Sequence, residues 1–563
     1  MRNNKTVVLG ITNGHDRGAA IMVGDKLEIA INEERLSRIK RDISDQIPIK
    51  SIRYCMENLN IEYSDIDLVT YTTTEVEDSV ESQINSVLGI PFEKIKFVPH
   101  HMAHAYSTFG GSDFEDAAVV VADAMGSVLA ETNKMHDWYI NDAGSPEEGR
   151  HWAEGYTIYH FKNRKDLPSE VYKKWVQFPF LEQEEFKGKG HANSIGFFYG
   201  TGAKQLIFDP ISYSWPAGKL MGLASYADKK WVEKQPHYSE RTEDDLNIPI
   251  ETIWPHINHE TDFQSKADIA GLYQREQELN SLHLVKLAKK FTGSDNVCVA
   301  GGSFLNCNTN ELIIRSDLFK NQYFVPPSDD SGIAIGCAMF GSTWIGNKLE
   351  SEGWMLPYSG KTYSDEEILE AINDSETPLR YTKLNSIEDA AKLAAEYVAS
   401  NKVIGWFQGG SEMGPRALGN RSIIANPQTG WMEEYINSEI KKREWYRPFA
   451  PSVLEEYVGD IFELDVFSPY MLVTTEVKPD WRSKIPAVTH IDNTSRYQSV
   501  SPKWNYPYYQ LINEFYKLTG VPVVLNTSFN GPSEPIVESP KDAINTLRRE
   551  GLKAVFINNY VIY

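Results

Sequence analysis

Apolar runs and tight polar turns alternate along the first forty residues: TVVLGI, a turn at TNGHDRG, AAIMV, a second turn at GDK, then LEIAINEE. Runs this short, rich in β-branched residues and punctuated by Gly, Asn and Asp, predict three strands. They read as the opening of a mixed α/β sheet whose first turn holds polar groups at a ligand. Helical spacing takes over at SIRYCMENL and again at QELNSLHLVKLAKKF, and a buried-strand run, NVCVAGG, follows the second. Periodicity is lost over residues 345–385, where Gly, Pro, Ser and acidic residues collect. A domain junction is expected there, giving domains over 1–355 and 375–563. Beyond it, SIEDAAKLAAEYVASNK predicts an amphipathic helix with Ser386 ahead of an acidic first turn, and VIGWFQGG predicts a strand entering a glycine loop. The stretch 135–190, rich in Tyr, Trp and charge but weakly periodic, reads as an insertion near the first site.

A chain of 563 residues exceeds what one hydrophobic core organises, in keeping with two large domains. No segment approaches the ~18 consecutive apolar residues of a spanning helix, and the N-terminal apolar run is too short for a secretory signal. No membrane partner and a cytoplasmic location are therefore expected. Cys55, Cys298, Cys307 and Cys337 are scattered without a CxxC pair, which argues for buried free thiols. A formal charge of −22 opposes a broad phosphate-tracking surface.

The most specific local feature is PHHMAHA: His100 and His104, four apart, project from one helix face, as two ligands of one metal must. Asp123 ends the apolar run AAVVVAD, and Asp329 and Asp330 lie at a turn in VPPSDDSGIAIG. Two imidazoles with one or two carboxylates suit a divalent ion such as Fe, Mn or Zn. In AGGSFLNCN, Gly301 and Gly302 follow a buried strand, where paired glycines let backbone amides approach a nucleotide, with Asn306 placed to read a ribose or base. The C-terminal third gathers cations beside turns and strand ends: Arg416 and Arg421 in GPRALGNRS, Lys441, Arg443 and Arg447 in KKREWYRPF, Arg496 in DNTSRYQ. Asn526 and Ser528 follow in VVLNTSFNG. Guanidinium groups so placed in an acidic chain point to a small phosphate-like anion.

These motifs resemble the NodU/CmcH family of O-carbamoyltransferases over most of the chain. NGHDRGAAI, HHMAHA, GGSFLNCN and SDDSGIAIG resemble its first domain, which is similar to the tRNA threonylcarbamoyl-adenosine transferases. GPRALGNRSIIANP and KKREWYRPFAPS resemble its second. The resemblance implies an α/β protein: an N-terminal actin-like ATPase domain (ASKHA, a duplicated RNase H-like fold) and a C-terminal YrdC-like domain. It implies that carbamoyl phosphate and ATP, with Mg²⁺, give carbamoyl adenylate, whose carbamoyl group then passes to an acceptor hydroxyl. His100, His104, Asp123 and Asp330 are implied metal ligands, with iron as the ion. Arg416, Lys441, Arg447, Arg496 and Asn526 are implied to hold carbamoyl phosphate, and Ser528 the nucleotide. His15 and Lys40 are implied to stand beside the transferring group, with His15 as general-base candidate. Two departures from the family pattern are Ala217, where an acidic residue is usual, and Ser533, where Gly is usual.

Expected acceptors are small hydroxyl-bearing sugars or natural products; a hydroxymethylated base, free or in DNA, is less favoured by the −22 charge. A nucleotide-binding actin-like ATPase or kinase relative is a competing reading, but a kinase holds Mg²⁺ through oxygen ligands and has little use for two imidazoles. A tRNA-modifying threonylcarbamoyl transferase would not need a fused activating domain.

Overall fold

In the computed structural model of this chain the described residues are 5–73, 80–127, 152–177, 194–207, 216–249, 261–351, 357–549 and 551–563. Two compact units emerge, Met1–Ala30 with Ile43–Gly353, and Ile31–Asp42 with Trp354–Tyr563. The second unit thus includes a short segment from near the N-terminus. Residues 352–356, within the expected junction, lie outside the described residues.

The first unit is built from two five-stranded sheets. One contains β1 (Val7–Thr12), β2 (Gly18–Val23), β3 (Lys26–Asn32), β4 (Leu68–Thr72) and β5 (Ile95–Phe97), in the order β3-β2-β1-β4-β5. The other contains β6 (Ala117–Ala122), β7 (Trp152–Phe161), β8 (Ser169–Gln177), β9 (Asn296–Ala300) and β10 (Asn321–Phe324), in the order β8-β7-β6-β9-β10. The two orders are the same when each sheet is counted from its own first strand. In both, that first strand pairs antiparallel with the second and parallel with the fourth. This is a duplicated α/β arrangement, as the actin-like fold requires. β1 and β6 are buried along their whole length, which explains why they read as continuous apolar runs rather than alternating ones.

β7 and β8 correct the reading of 135–190 as an insertion: residues 152–177 are the second and third strands of the second sheet. Charge obscured the strand pattern because Glu154 and Lys173 are buried as a pair inside the hairpin. The rest of that stretch lies outside the described residues.

Two buried helices pack on each other, Ile333–Trp344 against β1, β2 and β4, and His100–Gly111 against β6, β7 and β9. Their axes approach so closely that a Cβ at Gly336 would overlap the carbonyl oxygen of Ala103. The C-terminal end of His100–Gly111 is held by Arg164, 4% exposed, which donates to the carbonyls of Gly110 (2.9 Å), Ser112 (2.9 Å), Leu349 (2.9 Å) and Glu350 (2.9 Å). Arg164→Met should lower the stability of this unit by about 3 kcal/mol, from roughly 1 kcal/mol for each of several lost charge-assisted bonds. Urea denaturation checks this; an unchanged midpoint would refute the role.

The second unit has an eight-stranded mixed sheet, whose centre runs through Ile404–Phe407, Arg421–Ala425, Val523–Ser528 and Ala450–Leu454. The expected amphipathic helix is present as Ile387–Ala399: Ser386 caps it by accepting from the Asp389 amide at 3.2 Å, and it packs on Tyr506–Thr519. Among the described residues no helix is long and apolar enough to cross a membrane, and all four cysteines are buried thiols outside any disulfide.

Candidate functional site

The helix His100–Gly111 places His100 and His104 one turn apart with ring centroids 4.8 Å from each other. Asp123 stands just past the end of β6, and Asp330 begins the short turn that leads into Ile333–Trp344. His100 Nε2 lies 3.3 Å from both Asp123 Oδ2 and Asp330 Oδ1, and His104 Nε2 lies 3.4 Å from the same two atoms. One ligand atom from each of the four residues falls within 4.8 Å of the others, and all four residues are buried. His100 Nδ1 and both ring nitrogens of His104 are buried without a hydrogen-bond partner. An orphaned His104 Nε2 facing two carboxylates beside His100 Nε2 fits a divalent cation, and the mixed nitrogen and oxygen set fits Fe, Mn or Zn better than Mg²⁺.

The electrostatics agree. Burial works to lower the His100 pKa, but Asp330 and Asp123 outweigh it and carry the imidazole up to about 10; His104 is raised too, against burial, by the same two carboxylates facing its Nε2. The carboxyls of Asp123 and Asp330 are held low despite burial, because the imidazoles face them. With its pKa raised to about 10, the His100 imidazole holds a proton at neutral pH that a bound cation would displace. Metal affinity should rise with pH from 6 towards 10, with about one proton released per ion. Calorimetry in buffers of different ionisation enthalpy measures that release; pH-independent binding would refute it.

His101, on the same helix, points away from the cluster. Burial pushes its imidazole down to about 3, and its Nδ1 sits 2.8 Å from Thr157 Oγ1. His15 adjoins the cluster, with Nδ1 3.5 Å from Asp330 Oδ2 and a side chain 47% exposed. Lys40 is exposed and belongs to the other unit.

The Gly301–Gly302 turn touches the same cluster: the Gly302 amide donates to Asp123 Oδ1 at 3.2 Å. Asn306 caps the helix Cys307–Arg315 by accepting from Thr309, and exchanges amide hydrogen bonds with Gln274 at 2.9 Å.

In the second unit Lys441 is buried, and its ammonium donates to Ser528 Oγ (3.3 Å), Asn530 O (3.1 Å) and Asn530 Oδ1 (3.0 Å). Arg447 and Arg496 lie near Arg443: burial, then the charges of Arg447 and Arg496, push the Arg443 guanidinium down to about 9. Arg447 is lowered by burial and also by Arg496. Arg496 Nε is buried without a hydrogen-bond partner. Glu444, 3.7 Å from Arg447, offsets part of this repulsion, and the excess of guanidinium over carboxylate suits an anion. Arg416 is half-buried in the loop after Gly414. Glu412 shapes that loop, its Oε1 accepting from the amides of Leu418 (2.8 Å), Asn420 (2.7 Å) and Arg421 (3.1 Å). Asn526 uses its amide nitrogen on Ala417 O, Ser452 Oγ and Gln498 Oε1, tying three segments together.

Arg421 is not an anion ligand as its motif suggested. It is fully buried, donates to the carbonyls of Gln408 (2.9 Å) and Gly409 (3.1 Å), and stacks 3.4 Å from the Phe407 ring. Sequence reasoning also missed Glu154 and Lys173, a buried ion pair at 2.9 Å beside the histidine helix. A lone acid and a lone lysine in weakly patterned strands carry no signal of burial.

The family model described as Carbamoyltransferase N-terminus matches residues 7–88 and 87–339, and that described as Carbamoyltransferase C-terminus matches 395–563. The chain is 32% identical to "Nodulation protein NolNO" of Sinorhizobium fredii, over 97% of this chain and 79% of that protein. It is 36% identical to "Nodulation protein U" of Rhizobium tropici over 42% of this chain and 39% of that one. Among solved structures, HypF from T. kodakarensis is similar over 62% of this chain and 48% of HypF, with 13% identity and a TM-score of 0.36.

Proposed function

Because this chain belongs to the carbamoyltransferase family, we propose that it is the ATP-dependent type: carbamoyl phosphate and ATP are converted to carbamoyl adenylate in the second unit, and the carbamoyl group is transferred to an acceptor hydroxyl in the first. The observation that carries the reading is the buried set His100, His104, Asp123 and Asp330, with its ligand atoms within 4.8 Å.

Activation begins with hydrolysis of carbamoyl phosphate, in which water supplies the oxygen that completes carbamate and orthophosphate as the bond between them breaks. A carbamate oxygen then attacks the α-phosphorus of ATP, forming a P–O bond as pyrophosphate leaves with its electron pair. Both steps gather charge on phosphate oxygens, which calls for cations placed beforehand. Lys441, Arg447, Arg496 and Arg416 supply them, while Ser528 and Asn526 orient the loops around them.

In transfer, the acceptor hydroxyl attacks the carbamoyl carbon and AMP leaves. An alcohol is a poor nucleophile and needs a base and an electrophilic anchor. His15, exposed on one side and adjoining Asp330 on the other, takes the hydroxyl proton. A divalent ion held by His100, His104, Asp123 and Asp330, iron by the family resemblance, supplies Lewis-acid polarisation when bound. Gly301 and Gly302 line the nucleotide phosphates and Asn306 borders the nucleoside.

The acceptor is a small alcohol of the sugar or natural-product class. Incubation with labelled carbamoyl phosphate, ATP, Mg²⁺ and a panel of sugars, glycosides and hydroxymethylated nucleosides tests this. Orthophosphate and pyrophosphate release, with a one-carbamoyl mass gain on one class, is expected. Orthophosphate release without pyrophosphate would exclude the adenylate route.

A further inference from the structure

We propose that Glu154 is a positioning residue for the metal ligands, joining the loop that carries Asp123 to the helix that carries His100 and His104. The inference rests on the metal-site reading above.

Its Oε2 accepts two backbone amides, that of His101 at 3.2 Å and that of Ser127 at 3.1 Å. The first belongs to the opening turn of the ligand helix. The second ends the short loop after Asp123, and Ser127 Oγ in turn accepts from the His100 amide at 2.9 Å. The Glu154 backbone holds the same loop, its carbonyl accepting from Gly126 at 2.8 Å and its amide donating to Ser127 O at 3.1 Å. One carboxylate thus sets the spacing between ligands that come from separate elements.

The other oxygen, Oε1, faces Lys173 Nζ at 2.9 Å, with side-chain exposures of 0% for Glu154 and 2% for Lys173. A buried carboxylate needs such a partner, and a buried pair is weak evidence of stability alone, so its role is sought in geometry. Packing leaves no slack: a Cβ at Gly126 would fall 2.7 Å from Glu154 Oε2 and 2.7 Å from His101 Cδ2.

Glu154→Gln is the informative change. Its amide presents one donor and one acceptor edge to a site that offers donors on both sides, backbone N–H groups on one and an ammonium on the other. No orientation satisfies both. Lys173 keeps Glu170 at 2.8 Å, so its charge remains paired.

The test is Co²⁺ binding by the purified full chain, read by titration and by the visible spectrum of bound cobalt, for wild type, E154Q, G126A and H104A. Loss of a group that orients ligands costs about 10–100-fold in metal affinity. E154Q should bind that much more weakly with a changed spectrum, and G126A should follow it, while carbamoyl-phosphate-dependent ATP–pyrophosphate exchange stays at the wild-type rate. A merely structural loss would lower the melting temperature without altering the cobalt spectrum of the folded protein. Wild-type affinity and spectrum in E154Q, with H104A unable to bind, would overturn this inference alone. Failure of the wild type to bind Co²⁺ would overturn the metal reading with it. If E154Q does not fold, G126A tests the same contact from the other side of the carboxylate, and wild-type cobalt binding there would overturn the inference equally.

Discussion

Replacing His104 by alanine should abolish carbamoyl transfer to the acceptor yet leave carbamoyl-phosphate-dependent ATP–pyrophosphate exchange intact. His104 is wholly buried, and its Nε2 faces Asp123 and Asp330 at 3.4 Å each. Without it the two carboxylates keep one imidazole between them, and the cation site loses a quarter of its donor set. Lewis-acid assistance contributes several kcal/mol, so transfer should fall roughly 10³-fold or more. On the proposed division of labour, exchange depends on the second unit, whose cations lie elsewhere in the chain. Measuring both half-reactions and bound metal on one preparation decides the matter. Loss of both from a folded protein would mean that activation and transfer are not divided as proposed.

The converse result is expected for Lys441→Met. The Lys441 ammonium donates to Ser528 and Asn530, which orient it. Methionine keeps most of the volume and removes the charge. Losing one preorganised contact to a developing phosphate charge costs about 3 kcal/mol, roughly 100-fold in kcat/KM for exchange. Cobalt binding should be unaffected, since no ligand is touched. Lys441→Arg should restore little, because a planar fork does not reproduce a compact ammonium among these oxygens. Wild-type exchange in Lys441→Met would remove this residue from the donor site.

The two variants probe features that were unequally visible in the chain. His100 and His104 announce themselves by spacing, since residues four apart share a helix face whatever the rest of the fold does. Asp123 is visible for a similar reason: it terminates a short apolar run rich in valine, whose length and β-branching favour a strand buried on both faces. Arg421 misled, because a guanidinium beside glycines looks the same whether it awaits a phosphate or already serves buried carbonyls. The hairpin of β7 and β8 was misread as an insertion. Its charged positions are informative only once Glu154 and Lys173 are seen to face each other inside the sheet. The matching order of the two sheets is likewise a property of pairing and leaves no short-period repeat in the chain.

By itself the sequence determined what is local: which strongly patterned segments are strands or helices, which side chains share a face, and where glycines and cations collect at turns. Those features follow from periodicity and backbone chemistry within a few residues. Only the tertiary structure decided which distant groups meet: Asp330 with the histidines, Glu154 with Lys173, Arg443 with Arg447 and Arg496, Arg421 with its carbonyls. Whether a charge is solvated, paired or poised for a ligand depends on neighbours brought together by packing, and a one-dimensional pattern does not contain them.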